Sequence, residues 1–382
     1  MGSHAGGVSS DPATITIPAE LLPADGRFGC GPSKVRHEQV DAVVAARDTV
    51  LGTSHRKPAV KNLVGDVRSK LSTLFTLPDG WEILLGNGGS TVFWDIATFG
   101  LIEERSQHLA FGEFSSKFAE ATAAAPHLRE PTVIRSEAGT HPEAIAESGI
   151  DLYALTHNET STGVSMALRR PTGTNASDAL VAVDATSGAG GLHWDPAKVD
   201  VYYFAPQKCF AADGGLWLAA CSPAAIDRIE SIGASNRWRP ASLDLKIALD
   251  NSKKNQTYNT PAVATLVLLD SQLDWMLDNG GLEFAAGRSA TSAQALYEWA
   301  EARDWATPFV TDPAKRSNVV GTIDLDESID ASMVSTVLRA NGILDTEAYR
   351  KLGRNQLRIG MFPAIDPADI EALTTCIDFI IK

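Results

Sequence analysis

The sequence predicts an α/β protein with a mostly parallel sheet covered by helices on both faces, and a smaller α+β domain at the C-terminus. Two observations carry this prediction. Between about residues 40 and 277, short β-rich runs alternate with helical stretches, which is typical of a parallel sheet with helical connections. Beyond Gly280 the pattern becomes a short mixture of strands and helices. With 382 residues, of which 44% are hydrophobic, the chain is long enough for two domains.

The predicted strands of the larger region are short apolar runs. They lie at 81–85, 106–111, 151–155, 180–183, 201–204 and 216–220. In open α/β sheets, ligands bind beyond the carboxyl ends of the strands. Each polar motif discussed below follows one of these runs or a change in pattern, so we expect the functional residues to meet at one edge of the sheet.

The pattern also predicts the domain boundaries. Thr260-Pro261 is typical of a helix start, with the threonine as a cap and the proline at the first helical position. A buried face follows at helical spacing, formed by Leu266, Leu269, Leu273 and Met276. We therefore expect a flexible, Gly-rich tail at 1–10, an N-terminal segment at 11–32 that packs with the small domain, a large domain at 33–280 and a small domain at 281–382.

Composition and charge exclude several classes of function. The chain has 33 Lys and Arg against 47 Asp and Glu, a net charge of −14, which disfavours a nucleic-acid or anionic-membrane surface. The four cysteines form no C-x-x-C pair, which is usual for reduced thiols in the cytoplasm, and no metal-ligand motif is present. No apolar run predicts a signal peptide or a membrane span. We therefore expect a cytoplasmic protein with small-molecule partners.

A lysine and an aspartate follow two consecutive predicted strands. Lys208 closes Phe204-Ala205-Pro206-Gln207-Lys208, and Asp184 ends the run that begins at Leu180. Pyridoxal phosphate (PLP) enzymes use such a pair. The lysine forms the Schiff base, and the aspartate pairs with the protonated pyridine nitrogen so that the ring accepts electrons. The sequence predicts a PLP enzyme with Lys208 and Asp184 as its catalytic residues.

Motifs after three other strands fit the rest of a cofactor site. Gly89-Ser90-Thr91 opens a helical run and is suited to a phosphate, although a plain tight turn is the alternative. Phe114 is suited to stacking on the ring, although most phenylalanines are core residues. Thr160 lies in a polar loop at 157–163 that is suited to bonding the ring substituents, with a solvated turn as the alternative.

Cationic side chains cluster in two places of this acidic chain. One cluster is His55-Arg56-Lys57, and the other is the segment 349–354 followed by Arg358. Arginine binds carboxylates and phosphates through two parallel hydrogen bonds, which favours ligand capture, whereas a surface ion pair is the alternative for any single arginine. Asn259-Thr260 stands before the helix predicted at Pro261, either as caps or as phosphate donors.

Together these motifs resemble the phosphoserine aminotransferase family in its actinobacterial form, a class-V, fold-type I group of PLP-dependent aminotransferases. The resemblance extends from about Gly26 to the C-terminus. It is carried by Gly-Thr-Ser-His55-Arg56, His-Asn158-Glu-Thr160-Ser-Thr-Gly, Val-Asp184-Ala-Thr-Ser-Gly-Ala-Gly-Gly, Phe-Ala-Pro-Gln207-Lys208, Asn-Gln-Thr-Tyr-Asn259-Thr260-Pro and Leu-Gly-Arg354-Asn-Gln-Leu-Arg358-Ile-Gly-Met-Phe-Pro.

The resemblance implies a seven-stranded sheet, PLP as cofactor and a homodimer whose active sites are shared between subunits. It implies that the amino group of L-glutamate passes to 3-phosphohydroxypyruvate, giving O-phospho-L-serine and 2-oxoglutarate in serine biosynthesis. The family is also implicated in making 4-phosphohydroxy-L-threonine for pyridoxal phosphate biosynthesis.

The resemblance further implies a role for each matched residue. Phe114 stands where better-known members have the ring-stacking tryptophan, and Thr160 bonds the 3-oxygen of the cofactor. The cofactor phosphate is held by Gly89, Ser90, Thr91 and Gln207, and by Asn259 and Thr260 supplied by the partner subunit. The substrate α-carboxylate is held by Arg358, and its distal anion by Arg354 together with His55 and Arg56 supplied by the partner subunit.

Two other classes of function stay open at this point. On the same fold, an alanine–glyoxylate type aminotransferase or a cysteine desulfurase is the alternative, because Cys209 adjoins Lys208 and Cys30 precedes a Gly-Pro turn. A desulfurase requires a nucleophilic cysteine on a mobile loop, and neither residue lies in such a loop. A non-catalytic sensor on a PLP fold usually carries an added DNA-binding segment, and no basic helix-turn-helix is present in the sequence.

Overall fold

The computed structural model describes residues 14–175 and 178–382. The tail predicted at 1–10 lies outside the described residues. The helices are α1 (His37–Ala45), α2 (Pro58–Leu74), α3 (Ser90–Gly100), α4 (Glu113–Ala123), α5 (Pro223–Ala234), α6 (Leu245–Ser252), α7 (Val263–Asp278), α8 (Gly281–Glu301), α9 (Ala331–Ala340) and α10 (Pro367–Ile381). The strands are β1 (Glu82–Gly88), β2 (Ser106–Ala110), β3 (Thr132–Arg135), β4 (Leu152–Thr156), β5 (Asn158–Glu159), β6 (Val164–Ser165), β7 (Leu180–Asp184), β8 (Val201–Phe204), β9 (Gly215–Cys221), β10 (Ala306–Pro308), β11 (Val320–Leu325) and β12 (Gln356–Gly360).

The large sheet has seven strands in the order β1-β9-β8-β7-β4-β2-β3. Strand β9 runs antiparallel to both of its neighbours, and the other pairs are parallel. The mostly parallel, seven-stranded sheet is thus confirmed. The six runs proposed from the sequence all form strands. The seventh strand, β3, was missed because it is a four-residue edge strand whose side chains are only partly buried, so it carries little apolar signal.

Helices cover both faces of this sheet, as predicted. Successive side chains of a strand point to opposite faces, and both faces of β7 are buried. Val181 and Val183 pack into one apolar cluster with residues of α2 and α7, whereas Leu180 and Ala182 pack into another with residues of α3, α5 and α6. Burial on both faces explains why β7 reads as a continuous apolar run rather than an alternating one.

A second, antiparallel sheet follows in the order β10-β11-β12. It shares an apolar cluster with α9, α10 and the C-terminal part of α8, which includes Leu296, Ile323, Leu338, Ile359 and Ile370. The N-terminal segment joins this region. Phe28 accepts a hydrogen bond from the Gly360 N–H at 2.7 Å and donates one to the Leu344 carbonyl at 3.3 Å. The domain bounds proposed from the sequence stay a prediction.

The predicted helix start at Thr260-Pro261 needs correction in its position and in its cap. The helix expected at Thr260-Pro261 begins at Val263, and the Thr260 hydroxyl contacts His55 instead of capping it. The Ala262 N–H finds its acceptor in the side chain of Asn87, at 3.1 Å. A tertiary contact therefore replaces the local cap. The apolar face of this helix is as expected, since Leu269 and Leu273 are fully buried.

No helix among residues 14–175 and 178–382 combines the length and the apolar character that a membrane crossing requires.

Candidate active site

The predicted cofactor residues follow strands β1, β2, β4, β7 and β8. These five strands point the same way, so their carboxyl ends lie at one edge of the sheet. Strand β1 is longer than expected, because Gly88 still pairs with Gly215 of β9. Only Gly89 separates β1 from α3, so the strand delivers the start of this helix directly to the edge.

Lys208 lies in the loop after β8. Its Nζ donates a hydrogen bond to the Cys30 carbonyl at 2.5 Å. Burial lowers the pKa of Lys208 to about 8, helped by the positive charge of Arg358 and opposed by Cys30, Cys209 and Asp184. A decrease of this size raises the neutral fraction of the amine at pH 7 by roughly two orders of magnitude. The neutral amine is the form that attacks a carbonyl carbon, so Lys208 is suited to forming an imine.

Gly31 gives Lys208 its space. A Cβ atom on Gly31 would lie 1.8 Å from the Lys208 Nζ, and the backbone φ of +139° also disfavours a side chain. In the sequence, this Gly29-Cys30-Gly31-Pro32 turn contributed only to the family resemblance and to the desulfurase alternative. In the fold, this turn forms one wall around the reactive amine.

Asp184, at the end of β7, is held by four donors. The Trp94 Nε1 and the Tyr203 hydroxyl donate to Oδ2 at 3.0 and 3.3 Å, and the Thr186 N–H and hydroxyl donate to Oδ1 at 3.0 and 2.5 Å. Burial, followed by the charge of Asp184, raises the pKa of Tyr203 well above its usual value, so this phenol keeps its proton as a donor. The sequence reading missed Trp94; its position four residues after Ser90, on the same helical face, was the available signal.

Thr186 joins Asp184 to the start of α3. Its hydroxyl also lies 2.7 Å from the Ser90 hydroxyl. A hydroxyl has one proton, and a carboxylate can only accept, so Thr186 donates to Asp184 and accepts from Ser90. The Ser90 proton is therefore directed at Thr186. The backbone N–H groups of Ser90 and Thr91, which lack intrahelical acceptors at the helix start, remain available as donors for a phosphate, as does the exposed Thr91 hydroxyl.

Thr160 follows β5 and is buried. Its hydroxyl contacts the Ser187 hydroxyl at 2.8 Å, and the Asn158 amide donates to the same oxygen at 2.9 Å. Ser187 in turn donates to the Asn158 carbonyl at 3.1 Å. Ser187 is thus the centre of a small network that fixes both residues, and the sequence reading did not single it out. Thr160 can accept a hydrogen bond from the cofactor in this arrangement, whereas donating one would require its proton to turn away from Ser187.

Phe114 lies in the first turn of α4 and is partly buried. The start of this helix is fixed by Glu159, which is fully buried and accepts from the N–H groups of Phe114 and Ser115 at 3.3 and 2.9 Å. The Ser115 and Ser161 hydroxyls donate to it at 2.8 and 2.7 Å. Glu159 stands in the 157–163 loop, which the sequence marked only as polar. It ties that loop to the helix that carries Phe114.

Arg358 lies on β12, and one of its guanidinium nitrogens donates to the Thr160 carbonyl at 3.2 Å. Its guanidinium also stacks over the Tyr349 ring at 5.2 Å, and Tyr349 lies 6.2 Å from the Phe114 ring. The structure therefore brings the predicted carboxylate-binding arginine next to the predicted ring-stacking residue, although they are 244 positions apart.

Arg354 faces a different partner. Its guanidinium pairs with both carboxylate oxygens of Asp324 at 2.5 to 3.1 Å and stacks on the Phe309 ring at 4.6 Å. The Asp324 hydrogen bond raises the pKa of Arg354. Arg354 would have to leave this pair to reach a substrate, so Asp324 competes with the substrate anion that Arg354 is predicted to bind.

His55, Arg56, Asn259 and Thr260 lie together. The His55 Nδ1 contacts the Thr260 hydroxyl at 3.1 Å, and the Asn87 amide contacts the Asn259 side chain at 3.1 Å. Arg56 donates to the carbonyls of Thr257 and Tyr258 at 3.0 and 2.9 Å. Arg56, Asn259 and Thr260 are exposed and His55 is partly buried, and the four residues form a single surface patch beside the end of β1.

The residues at the sheet edge fit PLP. The buried polar atoms without a hydrogen-bond partner among residues 14–175 and 178–382 include Gln207 Oε1, Asn158 Oδ1 and Arg358 Nε. Burying such an atom costs free energy unless a ligand or a water molecule forms a hydrogen bond with it. Gln207 adjoins Lys208, and Asn158 belongs to the network that holds Thr160. Arg358 Nε and the open helix start at Ser90 can donate to anionic groups, whereas Gln207 Oε1 and Asn158 Oδ1 can accept from ligand donors, and Lys208 supplies the nucleophilic amine.

The nearby thiols are unsuited to nucleophilic chemistry. Cys30 and Cys209 are both buried, and neither forms a disulfide. Burial raises the pKa of both thiols, with Arg358 opposing this at Cys30 and Lys208 at Cys209. Protonated thiols are weak nucleophiles, which opposes the desulfurase alternative. No cluster of metal-ligating side chains occurs in the part of the chain that the structure describes.

Comparison with known proteins shows which family this chain is similar to. The family model for aminotransferase class V matches residues 132–347. The chain is 63% identical to a phosphoserine aminotransferase of Corynebacterium glutamicum, covering 96% of this chain and 97% of the relative, and 61% identical to one of Nocardioides sp., covering 96% and 98%.

Solved structures show the same fold at low sequence identity. A phosphoserine aminotransferase from Cytophaga hutchinsonii superposes with a TM-score of 0.85 at 22% identity, covering 93% of this chain and 99% of that one. A PLP-bound phosphoserine aminotransferase from Trichomonas vaginalis gives 0.78 at 19%, with the same coverage. The class-V family match and the closely similar relatives over nearly the whole length place this chain in the phosphoserine aminotransferase family of class-V aminotransferases.

Proposed function

We propose that this PLP-dependent aminotransferase moves the amino group of L-glutamate to 3-phosphohydroxypyruvate, forming O-phospho-L-serine and 2-oxoglutarate. The observation that carries the proposal is the partly buried Lys208 amine, with its pKa of about 8, at the same sheet edge as Asp184. The names of the relatives support the substrate. The product would enter serine biosynthesis.

PLP, when bound through Lys208, supplies an electron sink for the carbanion left when the substrate α-proton is removed. Lys208, once released from that link, would take the α-proton and return it at the C4′ carbon of the cofactor, a 1,3-shift. Asp184 would hold a negative charge at the pyridine nitrogen. Arg358 would hold the α-carboxylate, which both substrates share. Phe114 would stack on the ring, and Glu159 would fix the helix start that carries it.

The cationic side chains near Arg358 suit substrates with two anionic ends. A cavity of about 450 Å³ is lined by Ala348, Tyr349, Arg350, Lys351 and Arg358. Glutamate and phosphoserine each carry an α-carboxylate and a distal anion, so one cation binds the common end and others bind the distal end. A local cluster is required because the chain as a whole carries a charge of −14.

The test of this proposal is an absorbance spectrum of the PLP-reconstituted protein. We expect a visible band from the link at Lys208. O-phospho-L-serine should convert the band to that of the aminated cofactor, and 2-oxoglutarate should restore it. L-Alanine, which lacks a distal anion, serves as the matched control and should convert the band poorly. A band that ignores phosphoserine but responds to alanine would favour an alanine–glyoxylate type enzyme instead.

We also propose that the protein is a homodimer in which His55, Arg56, Asn259 and Thr260 complete the site of the partner subunit. Exposed apolar side chains support a covered surface here: Val40 and Val44 on α1 are about half exposed, and so is Tyr258 beside Asn259. The surface patch around Arg56 consists of these four predicted ligands, which fits a role in a neighbouring site.

Mixing two inactive chains tests the shared site. Lys208→Ala and Arg56→Ala chains, refolded together, should form heterodimers in which one site has both native residues. Random pairing makes half of the dimers mixed, each with one native site of two, so we expect about one quarter of the wild-type activity. If each site used only its own chain, the mixture would show no more than the mean of the two separate variants.

A further inference from the structure

An ion pair joins one wall of the cavity beside Arg358 to the start of helix α4. Lys351 Nζ lies 2.5 Å from Glu113 Oε1, and 68% of the Lys351 side chain is exposed. Lys351 belongs to the segment that lines the cavity. Glu113 is the first residue of α4 and precedes Phe114, so the pair connects the cavity wall to the helix that carries the predicted ring-stacking residue.

This contact lies beside the predicted reacting centre. The Tyr349 ring lies between the Arg358 guanidinium, at 5.2 Å, and the Phe114 ring, at 6.2 Å. Arg358 also acts electrostatically on Lys208. Lys351 follows Tyr349 by two residues in the sequence. Glu113 immediately precedes Phe114. An anion that enters beside Arg358 therefore meets Lys351 at the wall of the cavity.

The pair holds a cation and an anion where a substrate anion would compete. The hydrogen bond from Lys351, followed by that from Lys117, lowers the pKa of Glu113, so Glu113 is negatively charged at neutral pH. An ion pair this exposed is weak, because water screens it. A phosphate carries up to two charges and three acceptor oxygens, so it competes well for the same ammonium group.

We propose that Lys351 binds the distal anion of the substrate and that Glu113 occupies Lys351 until this anion displaces it. The proposal rests on the proposed function and adds a specificity-determining pair from the chain's own cavity wall. In this proposal Glu113 lowers the affinity of the site for anionic substrates, because its carboxylate competes with them for Lys351. Neutralising the two partners must therefore change anion affinity in opposite directions.

The experiment measures the dissociation constant of inorganic phosphate for the holoenzyme by calorimetry, and KM for O-phospho-L-serine. Holoenzyme is used so that the phosphate-binding groups of the cofactor site are already occupied. We expect Lys351→Met to raise both constants about tenfold, as for loss of a charged hydrogen bond. Glu113→Gln should lower both about threefold, because a weak competing ion pair is removed.

Lys117→Met is the matched control. Lys117 also pairs with Glu113, at 3.0 Å, but it is not among the residues that line the cavity. Its removal should leave both constants within about twofold of wild type. Lys351→Arg keeps the charge and should keep the affinity, which separates charge from misfolding at this position.

The directions of the affinity changes in the two variants decide whether the proposal holds. Unchanged affinity in Lys351→Met, or equal or weaker affinity in Glu113→Gln, overturns the proposal. A wild-type enzyme that binds phosphate but does not turn over phosphoserine would instead refute the proposed function, and the calorimetric order of the variants would still decide the role of Lys351.

Discussion

Lys208→Ala is expected to abolish the visible absorbance band of the reconstituted protein and to lower kcat on the order of 10²–10⁴-fold. Two losses combine in this variant. The amine that links the cofactor is gone, and so is the group that moves the α-proton. The neighbouring thiols of Cys30 and Cys209 cannot replace it, because both are buried and protonated.

The measurement is a PLP titration followed by absorbance, together with steady-state turnover of phosphoserine. Lys198→Ala is the matched control, since Lys198 is an exposed lysine before the same strand β8. That control should keep the band and the activity. The melting temperature of the apoprotein distinguishes lost chemistry from lost folding. A full band in Lys208→Ala would assign the linkage to another lysine and remove the basis of the proposed function.

Asp184→Ala is expected to keep the link at Lys208 but to lower kcat on the order of 10²–10³-fold, the usual cost of removing one fixed electrostatic contact to developing charge. The pyridine nitrogen loses the negative charge that favours its protonated form. The variant also leaves the Trp94 Nε1 and the Tyr203 hydroxyl without their acceptor, so the apoprotein should lose about 1–3 kcal/mol of stability for each buried donor.

Trp94→Phe separates these two effects. It removes one donor to Asp184 and keeps the carboxylate with its contacts to Thr186 and Tyr203. We expect a loss of apoprotein stability similar in kind, but a far smaller loss of kcat than in Asp184→Ala. Both are measured by denaturant unfolding of the apoprotein and by turnover of the loaded enzyme. If Trp94→Phe matched Asp184→Ala in kcat, the indole would have a direct role in the chemistry.

Much of the fold could be predicted because its signals are local. Each of the six predicted runs forms a strand, since apolar runs buried on both faces differ clearly from the amphipathic helices between them. The short edge strand β3 lacks that signal. The start of α7 was placed two residues early, because a threonine before a proline has the form of a cap but finds a tertiary partner, His55, instead.

Some residues of the site could likewise be predicted from local sequence, and others only from the fold. Lys208, Asp184 and Ser90 follow strands, so their place at the sheet edge follows from the order of strands and turns. Glu159 looked like one polar residue of a loop, and only the fold shows it accepting the N–H groups that start α4. Arg354 matched a ligand pattern, yet the register of β11 against β12 places Asp324 within its reach.

The sequence by itself determined the parallel sheet, the residues at the ends of its strands and the pairing of a lysine with an aspartate that indicates PLP. These features depend on periodicity and short spacings, which neighbouring residues encode. The tertiary structure alone decided which side chains face one another: Trp94 and Thr186 on Asp184, Ser187 between Asn158 and Thr160, and Lys351 on Glu113. Those contacts depend on strand register and helix packing between segments up to 238 residues apart, and no local pattern specifies them.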